Sequence, residues 1–109
     1  MIRWSQAVDQ NGNPVFSGIP QSDTINAMVF SDAGVKSDTV PTGANLVYIS
    51  VAGGSNIFVK IGGTAAVPTA DVTDGSASEA GALGRWLKGA SAVGVAADGA
   101  CVVTLAYYS

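Results

Sequence analysis

The residues of this chain best suited to proton transfer or metal binding are its eight acids, Asp9, Asp23, Asp32, Asp38, Asp71, Asp74, Glu79 and Asp98, because it contains no histidine. Two carboxylates can hydrolyse a glycosidic bond when they are held at a defined separation in unlike environments. Nearly all of these acids lie instead in turn-like contexts, where aspartate accepts local backbone hydrogen bonds, and no spacing singles out a pair. The missing histidine removes the commonest general acid–base group and rules out a Cys–His nucleophile at Cys101, the single cysteine. Cys101 lies in an apolar run and reads as a buried, inert thiol with no disulfide partner in the chain. The stretch Asp71-Val72-Thr73-Asp74-Gly75-Ser76 offers oxygen ligands, yet it lacks the alternating ligands and closing glutamate of a calcium-binding loop. Gly53-Gly54-Ser55 and Gly62-Gly63-Thr64 sit at strand ends and do not open a helix, so turn-making accounts for them without phosphate binding. The expectation is a protein that is not an enzyme, with no catalytic residue, no metal and no cofactor.

Charge narrows the partners. The formal net charge is −3, and the five basic residues, Arg3, Lys36, Lys60, Arg85 and Lys88, are scattered along the chain. Nothing resembles the basic stripe that neutralises a phosphate backbone, so no nucleic-acid partner is expected. No stretch approaches the ~20 apolar residues of a membrane span, and the first residues lack the apolar core of a signal peptide; synthesis in the cytoplasm and no membrane partner are expected. Charged residues are only 12% of the chain, against roughly 25% in an ordinary soluble domain. Such a surface is either neutral and rich in small residues or covered by other subunits. Trp4, Val15, Phe16, Tyr48, Phe58, Trp86 and Tyr108 are the candidates for such contacts. The alternative for Trp86, Tyr48 and Tyr108 is a sugar-binding aromatic platform.

These residues must be positioned by strands. At 109 residues the chain is expected to be one domain, and nothing in it has a helical period. Asn45 to Ala52 and Asn56 to Ile61, joined by Gly53-Gly54-Ser55, read as a β-hairpin, with Val47, Ile49, Val51, Ile57, Val59 and Ile61 facing the core. Ser91 to Ala97 and Ala100 to Tyr108 read as a second hairpin across Asp98-Gly99, with Cys101, Val103, Leu105 and Tyr107 sharing a face. Asp23 to Ser31 is a further strand, and Val35 to Val40 is extended. Gly62 to Gly84, poor in large apolar residues, is expected to be mobile or ordered by a partner. Residues 1–20 read as an N-terminal arm, with turn chemistry at Asn11-Gly12-Asn13-Pro14 that suits either a small hairpin or a bend, and residues 21–109 as a single antiparallel β-sandwich or small barrel.

From Thr42 to Ser109 the chain runs through a Thr42-Gly43-Ala44-Asn45 entry, a strand ending Val51-Ala52-Gly53-Gly54, and Ile57-Phe58-Val59-Lys60-Ile61-Gly62-Gly63. It continues through Leu87-Lys88-Gly89, Gly94-Val95-Ala96-Ala97 and Asp98-Gly99-Ala100. In this order and flavour of strands it resembles the small jelly-roll-like head decoration, or cement, proteins of tailed bacteriophages. The resemblance implies a non-enzymatic virion protein on the capsid exterior, a homo-oligomer and most simply a trimer, that clamps neighbouring major capsid subunits. A tail, neck or spike component and a carbohydrate-binding module are the alternatives.

Overall fold

A computed structural model of the chain describes residues 1–4, 7–8, 11, 14–15, 19–81 and 83–109. Within them the β-branched and aromatic segments form strands and there is no helix. The order is β1 (Ala7–Val8), β2 (Pro14–Val15), β3 (Thr24–Phe30), β4 (Gly34–Thr39), β5 (Leu46–Ala52), β6 (Ile57–Ile61), β7 (Glu79–Ala80), β8 (Gly84–Trp86), β9 (Ala92–Ala97) and β10 (Cys101–Tyr108). β1 and β2 pair antiparallel, with Ala7 opposite Val15. The other eight strands make two four-stranded antiparallel sheets, β3-β10-β5-β8 and β4-β9-β6-β7.

The pairs β3/β10, β4/β9, β5/β8 and β6/β7 are nested within one another. The chain from β3 to β6 and its return from β7 to β10 are thus the two halves of one long ribbon. Rolling that ribbon brings β10 beside β5 and β9 beside β6, and the result is a jelly-roll-like β-sandwich.

The nesting overturns both expected hairpins. β5 and β6 lie in different sheets, and so do β9 and β10. Gly53-Gly54-Ser55 and Asp98-Gly99 therefore turn corners between layers. A glycine-bearing turn permits either route, and the long-range pairings decide: β10 is matched to β3 from Cys101 to Tyr107 and to β5 from Val102 to Tyr108. The two corners are tied together. Asn56 donates its backbone N–H to Asp98 Oδ1 at 2.8 Å and its amide to Oδ2 at 3.1 Å, while Ser55 Oγ donates to the Ala100 carbonyl at 2.9 Å. Gly53 adopts φ +117°, and a Cβ there would stand 3.3 Å from the Cys101 Cα.

The core is the space between the sheets. Met28, Phe30, Val47, Ile49, Cys101, Val103, Leu105 and Tyr107 come from the first sheet, and Ile57, Val59, Val93, Val95 and Ala97 from the second, with Leu87 between β8 and β9. The inner faces expected of β5 and β6 are the observed ones, except that Val51 lies 42% exposed at the end of the sandwich and Ile61 is half-buried; on β10 the shared face of Cys101, Val103, Leu105 and Tyr107 is the inner one. On β3 the inner face is that of Met28 and Phe30, leaving Ile25 and Val29 outside.

Polar pairs close both open sides of the sandwich. At the β3/β4 side Asp38 Oδ2 accepts from Asn26 Nδ2 at 2.9 Å and from the Tyr107 hydroxyl at 2.6 Å. Burial, and after it the bond to the Asp38 carboxylate, pushes the Tyr107 phenol well above its ordinary value, so it stays a donor. At the β7/β8 side Arg85 Nε donates to both Glu79 carboxylate oxygens at 2.9 Å, and its Nη2 completes the fork. Hydrogen bonding from Arg85 holds the Glu79 carboxyl below its ordinary 4.5. A depressed carboxyl stabilises the fold fully above its unfolded value, and that contribution fades as pH falls through the folded value. Wild-type protein should therefore lose slightly more melting temperature between neutral and acid pH than Glu79→Gln; the difference is small because water screens an exposed pair. Identical acid sensitivity of the two would show that the pair does not hold that side.

The segment after β6, expected to be mobile or partner-ordered, is anchored at Ala65 and Ser76 to the outside of the second sheet, while residues 68–77 are exposed. Ala65 is 1% exposed. Beneath it β9 carries Gly94, where a Cβ would fall 2.3 Å from the Gly63 carbonyl oxygen and 2.8 Å from the Ala65 nitrogen. Lys60 Nζ reaches the Ser76 carbonyl at 2.5 Å, and Ser78 Oγ accepts from the Ala66 N–H at 3.0 Å. Within this stretch β7 forms, a strand too short to show a period in sequence.

Candidate docking face and groove

The outer face of the first sheet follows from the register. Across the sheet run Val29–Val102–Ala52, then Ala27–Thr104–Ser50, then Ile25–Ala106–Tyr48–Gly84, and last Tyr108–Leu46–Trp86. None of these strand residues is charged. Several are open to solvent: Val29 is 62%, Ile25 48%, Val102 37% and Trp86 64% exposed. A small-residue surface explains the alanines and serines of this face. It does not explain a row of exposed valine and isoleucine on β3, an edge strand with one free side. Lys36 covers part of that free edge, its ammonium 2.6 Å from the Val29 carbonyl and 5.3 Å from the centre of the Phe30 ring.

The start of the chain docks on this same face. Ser109 donates its N–H to the Ile2 carbonyl at 3.0 Å, and the Ile2 N–H reaches Asp23 Oδ1 at 3.1 Å. Trp4 then lies across the sheet, its ring centre 5.1 Å from Tyr108, edge-on, and 6.3 Å from Tyr48. Tyr108 is only 3% exposed, and its hydroxyl donates to the Pro20 carbonyl at 2.6 Å. The arm's first residues therefore find their partner within the chain.

The expected contact residues consequently separate. Trp4, Tyr48, Trp86 and Tyr108 cluster on the outside of the first sheet; Phe58 is half-buried on the outside of the second, opposite Ala96 and Ala80. Val15 lies in β2, and Phe16 is outside the described residues. Of the proposed aromatic platform only Trp86 stands free, since Tyr108 is covered and Trp4 rests against Tyr48.

Beside Trp86 is a groove of about 870 Å³, lined by Arg3, Trp4, Asn45, Trp86, Lys88 and Ser109 among others. A shallower hollow of about 630 Å³, lined by Arg85, Leu87 and Lys88, lies on the other side of the indole. Lys88 is presented by the turn between β8 and β9, closed by the Ala90 N–H on the Leu87 carbonyl at 3.0 Å. Its central residues Lys88 and Gly89 have φ of +51° and +77°. A lysine in this left-handed region carries a backbone cost that glycine or asparagine would avoid. The groove was not legible in the sequence, because Arg3, Asn45 and Lys88 meet only after rolling.

The acids do not converge. Asp74 Oδ1 accepts from the Ser76 N–H at 3.1 Å and the Ser76 hydroxyl at 2.6 Å, which is turn chemistry. Among the described residues no three of the histidine, cysteine, aspartate and glutamate side chains come together as a metal site, and no helix is long and apolar enough to cross a membrane. Comparisons with protein-family models, curated proteins and solved structures found no match to this chain.

Proposed function

We propose that this chain is a non-enzymatic structural protein that associates with copies of itself and clamps the subunits of a larger shell, as the head decoration proteins it resembles in sequence do. The observation that carries the reading is the uncharged outer face of the first sheet, with Ile25, Val29, Val102 and Trp86 exposed. Apolar surface of this kind is stabilised by being covered. The jelly-roll-like strand order is compatible with that role without selecting it, since such folds serve capsid and lectin domains alike. The test is addition of purified protein to expanded phage shells that lack it. Binding and increased resistance to heat are expected; no binding and no added resistance would contradict the reading. Imaging of intact particles separates a head position from a tail, neck or spike one.

A second reading, carbohydrate binding, draws on one observation: an exposed indole beside a groove carrying Asn45 and Lys88. It predicts a hit on a bacterial-surface glycan array that Trp86→Ala abolishes. An array without hits removes its support.

A further inference from the structure

Among the described residues most charged side chains are engaged locally, and the exceptions form a pattern. Lys36 and Lys60 each bond a backbone carbonyl, and Arg85 is held by Glu79. Arg3 and Lys88 have no hydrogen-bond or ion-pair partner among the described residues, and both line the groove beside Trp86. Among the described residues no acidic side chain lines that groove or the adjoining hollow; the main-chain carboxylate of Ser109 lies in the groove but makes no ion pair with Arg3 or Lys88. Among the described acids Asp23, Asp32, Asp38, Asp74, Glu79 and Asp98 all accept hydrogen bonds within the chain. Asp71 is the described acid without such a partner. Next to it Val72 is 46% exposed.

Two unmatched cations beside an exposed indole thus face, in the same sequence, an unmatched carboxylate beside an exposed valine. The elements that carry them stand on opposite faces of the sandwich. The segment bearing Asp71 is anchored through Ala65 and Ser76 to the outside of the second sheet, whereas Trp86 lies on the outside of the first, with the sandwich between. We infer that the Asp71-Val72 loop of one copy seats in the Trp86–Lys88–Arg3 groove of the next, Val72 against the indole and the carboxylate between the two cations. Because different surfaces meet, the contact is head-to-tail, which gives a ring where the rotation closes and an open filament where it does not. The strained left-handed backbone at Lys88 is then maintained by the contact that its ammonium makes. The inference rests on the assembly reading above and specifies the contact between copies.

The test uses the full chain in sedimentation over a range of concentrations. Lys88→Glu and Asp71→Lys, each placing like charges together, are expected to weaken self-association by at least about tenfold, and the combined exchange to restore most of it. Lys88→Gly should raise thermal stability while weakening association, since it relieves the backbone and removes the charge; a purely structural turn would show the first effect without the second. Unchanged association in both charge variants would overturn the contact while leaving the assembly reading standing on the apolar face. A wild-type protein that is monomeric throughout would overturn the contact, and so would a monomer that binds an acidic polysaccharide such as polygalacturonate through Lys88. Binding of missing-protein shells by such a monomer would show that the assembly reading survives it.

Discussion

Replacing Tyr107 by alanine should cost about 3–5 kcal/mol, the range for truncating a buried aromatic. Tyr107 is the largest of the fully buried side chains and is 0% exposed on the strand that joins β3 to β5. A domain of this kind has only about 5–15 kcal/mol in hand. Tyr107→Phe isolates the polar part: the ring still fills its space, and the loss is the hydrogen bond to the Asp38 carboxylate, about 1.5–3 kcal/mol. Urea titration distinguishes the two, with the slope of the transition unchanged if only stability moves. Equal losses would mean that the bond to Asp38, and not packing, is what Tyr107 contributes.

Gly94→Ala should cost about 1–3 kcal/mol, the usual penalty for forcing an extra carbon into a filled space. The atoms that a Cβ would strike, the Gly63 carbonyl oxygen and the Ala65 nitrogen, belong to the backbone and cannot rotate away as a flexible side chain would. The segment from Gly63 to Ala66 must therefore lift, uncovering Ala65. Faster amide exchange at these residues should accompany the loss of stability. An unchanged midpoint would show that the segment is not seated on β9.

Alternation made the strands legible. Val47 and Ile49, or Cys101, Val103, Leu105 and Tyr107, announce an inner face because side chains point to opposite sides in turn. The same rule is silent about partners. Gly53-Gly54-Ser55 and Asp98-Gly99 have the composition of hairpin turns, and only the nested ribbon, a property of the whole chain, makes them corners. β7 and β8, two and three residues long, fall below the length at which a period shows. Glu79 and Arg85 meet only because those strands close the side of the sandwich. Gly94 was a readable sign: a glycine inside an apolar strand marks close approach of another backbone, and here the segment around Ala65 is what approaches. Of the candidate docking surface, the sequence named Trp86, which is exposed, whereas Trp4 and Tyr108, named with it, pack against each other.

The most direct test of the proposal that this surface is covered by other subunits is the protein's mass in solution. Sedimentation equilibrium of the purified full chain should give a multiple of 10.9 kDa that persists on dilution. A single 10.9 kDa species at every concentration that also leaves expanded shells unbound, with the valines and isoleucine of β3 in water, would contradict it.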